Sequence, residues 1–305
     1  MSEHSRLQAE AHSRGALADK VAIVSGGSQG LGREIVKVLA AQGTHVVLAD
    51  VNCVDGKETA ASLGGSASFL ETDVSDDEQI ERCVRFVQER FGRLDILVNC
   101  AAIYADNGLN ASRAEWHRTL DVNLVSAAIF AQRAAAVMSR GAVIVNICST
   151  GGKFGAAERA LYPASKAALL QITKNIATLL APRGIRCVSV SPAWTWSPSL
   201  SKFSGGSIEL ANKVGAKLHP LGRVGRGEEV GAVVAFACSE AASWITGVDL
   251  AVDGGFSCLG PDQGRSPREW FAAEAESCEV ARVHSASAES DHTDQAGSRP
   301  QPPPR

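Results

Sequence analysis

Aromatic residues are scarce in this chain, 5% of 305 residues with only two tyrosines, and neither sign of charge is in marked excess. The eight cysteines include no Cys-x-x-Cys pair. Each shortage excludes something. Thirty Lys and Arg against 33 Asp and Glu leave a formal net charge of −3, so neither nucleic acid nor an anionic membrane surface is an expected partner. The cysteines, at 53, 83, 100, 148, 187, 238, 258 and 278, are scattered, and several fall in apolar runs such as Val145-Asn146-Ile147-Cys148. They read as buried free thiols in a reducing compartment, without a disulfide framework or a metal site. No stretch reaches the roughly 18 uninterrupted apolar residues of a membrane span. The first twenty residues, with Glu3, His4, Arg6, Glu10, His12 and Arg14, lack the apolar centre of a secretion signal, so a cytoplasmic location is expected.

What the chain does have is alternation. Short apolar runs at 21–24, 45–49, 67–70, 96–98, 143–147, 186–190 and 248–252 read as strands, separated by amphipathic stretches near 31–42, 56–63, 76–91, 112–139, 163–182, 207–215 and 227–238 that read as helices. Strands that scarcely alternate between apolar and polar are buried on both faces. The expected fold is therefore α/β, a single doubly wound, Rossmann-like domain with a parallel sheet of about seven strands and helices on both sides. Residues 1–16 read as a polar arm, and 285–305, rich in Ser, Asp, Gln and Pro, as a disordered tail.

Directly after the first strand, Gly26-Gly27-Ser28-Gln29-Gly30-Leu31-Gly32 opens a helix. Glycines let a backbone approach a pyrophosphate, and free N–H groups at the helix start complement its charge. Asp50 ends the second strand eighteen residues after Gly32, where a carboxylate accepts hydrogen bonds from both ribose hydroxyls and repels a 2′-phosphate. This favours NAD over NADP, as does the uncharged Gln29. The plainer reading of Asp50 is a strand-ending turn residue. Asp73-Val74 and Asn99-Cys100-Ala101-Ala102 follow the third and fourth strands, at the ends where open sheets bind ligands.

Tyr162 and Lys166 stand four residues apart, and Ser149 lies thirteen residues before the tyrosine. On a helix, positions i and i+4 share a face, so the ammonium can favour the ionised phenol. A phenol of ordinary pKa near 10 must drop by roughly three units to act as a base at neutral pH, worth about 4 kcal/mol. One lysine falls short of that. A second positive charge is expected beside it, and an oxidised nicotinamide would supply one.

With these motifs in this order, residues 17–258 resemble the short-chain dehydrogenase/reductase family. Its glycine motif appears as Ser25-Gly26-Gly27-Ser28-Gln29-Gly30-Leu31-Gly32, and its Asn-Asn-Ala-Gly segment resembles Asn99-Cys100-Ala101-Ala102, differing at the second and fourth positions. The Pro-Gly segment reads Pro192-Ala193, and Pro220-Leu221-Gly222-Arg223 and Val252-Asp253-Gly254-Gly255 complete the likeness. The resemblance implies a catalytic tetrad of Asn123, Ser149, Tyr162 and Lys166. In it Tyr162 is the general acid/base, Ser149 orients the substrate oxygen, Lys166 lowers the phenol pKa and Asn123 holds a water. It implies NAD held by Gly26, Ser28, Gln29, Gly30, Leu31 and Gly32, by Asp50 and Val51, by Asp73 and Val74, by Asn99 and Ala101, and by Pro192, Trp194, Thr195 and Ser197. Tyr162 and Lys166 join that set, the lysine on the nicotinamide ribose.

The activity so implied is hydride transfer between a secondary alcohol and NAD. The alternatives are an NADPH-dependent carbonyl reductase, which Asp50 opposes, and a dinucleotide-binding regulator without turnover, which a missing tetrad residue would favour. Residues 194–219 read as a lid, and Tyr104, Ser149, Lys153, Phe154, Trp194, Trp196 and Phe203 as candidate pocket walls suited to a cyclic or moderately apolar alcohol. The aromatics among them could equally pack the lid or a subunit contact. The resemblance also implies a homo-oligomer, commonly a tetramer. Residues 259–284, with Trp270 and Phe271, extend past the family's usual end, to cover either their own cleft or a neighbour's.

Overall fold

Seven parallel strands form the centre of residues 15–275, the part of the chain that the computed structural model describes. They are β1 (Val21–Ser25), β2 (His45–Asp50), β3 (Ala67–Glu71), β4 (Ile96–Asn99), β5 (Val143–Ile147), β6 (Arg186–Pro192) and β7 (Asp249–Val252), in the order β3-β2-β1-β4-β5-β6-β7. Every pairing is parallel. Between them run α1 (Gly30–Ala41), α2 (Cys53–Ser62), α3 (Asp77–Phe91), α4 (Arg113–Leu120), α5 (Ser126–Val137), α6 (Leu161–Leu180), α7 (Pro198–Phe203), α8 (Ile208–Gly215) and α9 (Gly227–Cys238). The expected doubly wound α/β architecture is the one found.

Side chains of a strand alternate between faces. Val21 and Ile23 of β1 therefore join Ile80, Val84, Phe130, Ala134 and Ile176 from α3, α5 and α6, whereas Ala22 and Val24 join Ile35, Leu39, Val230 and Val234 from α1 and α9. Burying an aliphatic side chain contributes about 1.5–3 kcal/mol, and this sheet does so on both sides. Local signals set the helix ends. Asp76 accepts from the N–H groups of Glu78 (2.9 Å) and Gln79 (3.2 Å) to start α3, and Gly92, at φ +70°, ends it.

The helix expected over 112–139 is not continuous. Ser112 and Glu115 form the capping box that starts α4, but residues Asp121–Val125 widen to a π-helical turn before α5 resumes. Asn123 sits in that turn, and such bulges recur at functional sites. Arg113–Val137 is, by length and mean hydropathy of 1.2, apolar enough to cross a membrane. Its inner face, Phe130, Ala131 and Ala134, instead packs on the sheet.

The chain divides after Ser257 into two units. Of the second, residues 258–275 are described. They are helical over 267–275, where the Trp270 indole donates to the Asp262 carbonyl (3.0 Å) and the Arg265 guanidinium lies 5.1 Å over its ring. Residues 1–14 of the arm, 276–284 of the extension and the tail at 285–305 lie outside the described residues.

Candidate active site

The strand order reverses between β1 and β4, and the loops leaving their C-terminal ends open a crevice there. After β1, Ser25 Oγ accepts from the N–H groups of Cys100 (3.1 Å) and Ala101 (3.3 Å), tying the glycine turn to the loop after β4. Gly26, at φ +69°, lies so close that a Cβ on it would stand 2.7 Å from Ala101 Cα, and one on Gly32 would meet the Gly26 carbonyl at 2.0 Å. Only glycine fits either place. At the start of α1, Gln29 provides no side-chain cap and the first turn holds no acidic residue, which leaves the amides and positive dipole end toward the crevice.

Asp50 does two things at once. One carboxylate oxygen accepts from Ser28 N (3.0 Å) and the other from Asn52 N (2.9 Å), so the end of β2 braces the glycine turn. Ser28 Oγ is buried without a partner among the described residues. Arg33, which carries no motif in the sequence, donates from Nε to the Ser28 carbonyl (2.8 Å) and pairs with Asp55 at 3.5 Å. Val51 beside it is exposed. Farther along the sheet edge Asp73 accepts from the N–H and hydroxyl of Ser75 (2.9 and 2.7 Å), while Val74 is buried. The Asn99 amide turns inward, donating to Asn146 Oδ1 (2.9 Å) and the Ala127 carbonyl (3.2 Å), so only its main chain is left for the crevice.

The four tetrad positions surround the end of β5. Ser149 begins the short 3-10 turn Thr150–Gly152, its Oγ accepting from Gly151 N (3.0 Å), and it lies close to Tyr162: a Cβ on Gly151 would stand 3.3 Å from Ser149 Oγ and 3.7 Å from Tyr162 Cε1. Tyr162 and Lys166 occupy one face of α6, with the ammonium 5.7 Å from the phenol ring centroid. Lys166 is 2% exposed and donates to the Ile147 carbonyl at 2.7 Å. Burial lowers its pKa from the ordinary 10.5. Burial, then the neighbouring Tyr104, raise the Tyr162 phenol well above its ordinary value, and the Ser149 hydrogen bond opposes them. Lysine alone therefore does not ionise this phenol. Asn123 accepts from Ile103 N (2.8 Å) and donates to the Ile103 carbonyl (3.0 Å) and Ser165 Oγ (3.1 Å), pinning the loop after β4.

Over residues 26–257 the chain matches the family described as enoyl-(acyl carrier protein) reductase. It is 34% identical over 255 residues to trans-4-hydroxycyclohexanecarboxylate dehydrogenase of Sinomonas cyclohexanicum, covering 78% of this chain and 93% of the relative. It is 32% identical over 245 residues to NAD-dependent glycerol dehydrogenase of Listeria innocua, covering 79% and 95%. A solved short-chain dehydrogenase/reductase of Brucella melitensis, titled glucose/ribitol dehydrogenase, superimposes with a TM-score of 0.75 at 31% identity, over 80% of this chain and 98% of that one. The chain is a short-chain dehydrogenase/reductase.

Dehydrogenases of the short-chain family use a nicotinamide dinucleotide, and the crevice fits one. The glycine turn is a cradle that a Cβ would fill, the helix start behind it is uncapped, and the buried Ser28 hydroxyl awaits a partner. Pro192 ends β6 and is buried, and the Thr195 hydroxyl donates to the Ala193 carbonyl (3.2 Å). Ser197, expected among the residues that hold NAD, accepts from Leu200 N (3.3 Å) as the cap of α7. That helix crosses the glycine turn, with Pro198 Cδ 3.5 Å from where a Cβ on Gly30 would lie. Leu31 begins α1 half-buried.

The candidate walls divide. Tyr104 stacks on Tyr162 with ring centroids 4.8 Å apart. Phe154 packs edge-on against Phe256 (5.8 Å), Trp194 lies 6.2 Å from the His219 ring, and the main-chain N–H of Trp196 donates to the Gly225 carbonyl (2.8 Å). Phe203 is exposed. Lys153 is drawn away, its ammonium 2.5 Å from Asp249, whose other oxygen accepts from the hydroxyls of Ser189 and Ser191 (both 2.7 Å). His219, preceding a proline, gave no signal in the sequence, yet it is buried between Trp194 and Phe256 with Nδ1 2.8 Å from the Gly215 carbonyl. Among the described residues no cluster of His, Cys, Asp and Glu is arranged to hold a metal.

Proposed function

We propose that the protein is an NAD-dependent oxidoreductase that interconverts a secondary alcohol, on a cyclic or moderately apolar carbon skeleton, and its ketone. The observation that carries this reading is the meeting of Ser149, Tyr162 and Lys166 beside a glycine cradle braced by Asp50. NAD held by the glycine turn and Asp50 would supply the acceptor for a hydride from the carbinol carbon, and NADH the donor for the ketone. The rest is the work of this chain. Ser149 and Tyr162 hold the substrate oxygen, and the phenolate takes the alcohol proton as the C–O bond becomes a carbonyl. In the reverse direction the phenol gives that proton back. Buried Lys166 keeps a positive charge near the phenolate, and the uncapped start of α1 and the glycine turn hold the pyrophosphate. The aromatic walls, Tyr104 foremost, suit a ring, in keeping with the cyclohexane ring of the hydroxycyclohexanecarboxylate named for the Sinomonas relative. The family's tetramer, in the cytoplasm, remains the expected assembly.

Asp50 decides the cofactor. Its carboxylate can accept from the adenosine ribose hydroxyls and repels a 2′-phosphate, so NAD should bind about 100-fold more tightly than NADP, within the ordinary range of one half-buried charge contrast. Fluorescence titration of both dinucleotides measures this. Asp50→Asn keeps one acceptor and removes the repulsion, and is expected to narrow the preference about tenfold or more. An unchanged ratio would return Asp50 to a turn-forming role and bring NADPH back into contention.

A further inference from the structure

The chain's two tyrosines meet in the site, and neither is placed by its own neighbours alone. Helix α6 starts without a local cap, because its N-cap position is Ala160. The cap comes from 54 residues upstream. Asp106 Oδ1 accepts from Ala160 N (2.9 Å) and Gly108 N (3.0 Å), and Oδ2 from Tyr162 N (3.0 Å) and Ala160 N (3.1 Å). Burial pushes this carboxyl up, but the amides of Ala160, Tyr162, Gly108 and Leu161 outweigh it and hold its pKa below the ordinary value, so it is ionised wherever the enzyme works. Three residues earlier Ile103 is pinned on both main-chain groups by Asn123. Tyr104, 65% exposed, lies between the two anchors.

We propose that Asp106 is a positioning residue of the active site: its carboxylate ties segment 103–106 to the first turn of α6, so that the Tyr104 ring is held as a fixed wall against Tyr162. The clamp acts on both rings at once, since one carboxylate binds the main chain of Tyr162 itself and belongs to the strap that carries Tyr104. A wall fixed this way offers a flat apolar face to a cyclic substrate at the phenol, which deepens the alcohol specificity proposed above and rests on that reading. Asn123 holds the same strap from the other side, so the two anchors share one task.

Labelling with 3-fluorotyrosine tests the clamp directly, because two tyrosines give two 19F resonances, assigned with Tyr104→Phe and Tyr162→Phe. Asp106→Ala should move both resonances toward the position of free fluorotyrosine, as the rings lose their mutual stacking. It should also lower kcat/KM for a cyclic alcohol about 10- to 100-fold, the usual penalty of misplacing a reacting group by about an ångström. The loss should fall mainly on KM and be smaller for 2-propanol, and NAD affinity should stay unchanged. Asp106→Asn keeps one acceptor but turns an NH2 group toward N–H groups that the other oxygen served, so it should move both resonances part of the way in the same direction, and it stands in if the alanine variant does not fold. Ser112→Ala, removing the cap of α4, is the control for a purely structural loss: it should lower Tm and leave resonances and KM alone. Both resonances at wild-type positions in Asp106→Ala, or equal movement in Ser112→Ala, would overturn the proposal. The 19F comparison needs no turnover, so it decides the clamp even if no alcohol is oxidised.

Discussion

Tyr162→Phe is expected to lower kcat/KM for alcohol oxidation by about 10³- to 10⁴-fold, at the upper end of what a positioned general base contributes. The substitution removes one oxygen and keeps the ring. The stack on Tyr104 and the packing of α6 therefore survive, and NAD affinity should remain within about threefold of wild type. On the proposed mechanism, what is lost is the group that takes the alcohol proton and, with Ser149, holds the substrate oxygen. The pH profile carries the same signature. Because burial and Tyr104 raise the phenol above its ordinary value, the base form is scarce at neutral pH, and wild-type oxidation should climb with pH through the alkaline range. Ketone reduction needs the protonated phenol and should change in the opposite sense. Initial rates across pH check both directions, and a phenylalanine variant within tenfold of wild type with the same profile would remove Tyr162 from the chemistry.

Lys166→Met should separate function from stability. It is expected to cut kcat about 100-fold and push the alkaline limb of the oxidation profile higher, because the buried positive charge that favours the phenolate is gone. Stability should scarcely follow. A lysine whose folded pKa is lowered binds its proton less readily in the folded chain than in the unfolded one. Its charge therefore costs stability at low pH, and that cost fades as pH rises through the lowered value toward 10.5. Methionine fills the same space without the charge and loses one hydrogen bond to the Ile147 carbonyl. The two effects offset, so Tm should move by no more than about 5 °C, and its pH dependence in that window should flatten. Thermal melts over pH beside steady-state rates read both. A large fall in Tm with kcat per folded enzyme intact would make Lys166 a structural residue.

The sheet was legible because its strands are nearly continuous apolar runs bounded by glycine and polar turns, and the observed bounds differ from the expected ones by no more than two residues. The glycine turn, Asp50 and the spacing of Ser149, Tyr162 and Lys166 were legible for a related reason: each lies within one strand-and-loop unit. What is not legible depends on groups far apart in sequence or on hydrogen-bond register. The π turn at Asp121–Val125 has the same residue pattern as an α-helix, and only the carbonyl each N–H chooses tells them apart. Asp106 reads as a turn residue until α6 is brought against it. Lys153 looks available to a substrate until β7 presents Asp249. His219 lies in a polar-looking stretch and is nonetheless buried, because Trp194 and Phe256 close around it.

The most direct test of the account is the rise in absorbance at 340 nm when the full chain is mixed at pH 9 with NAD, or with NADP, and a panel of cyclic and aliphatic secondary alcohols. Reduction of NAD is expected, faster with cyclic alcohols than with short linear ones, weak with NADP and absent in Tyr162→Phe. Tight dinucleotide binding without reduction across the panel would contradict it and favour a regulator built on the same fold, and faster reduction of NADP would contradict the role given to Asp50.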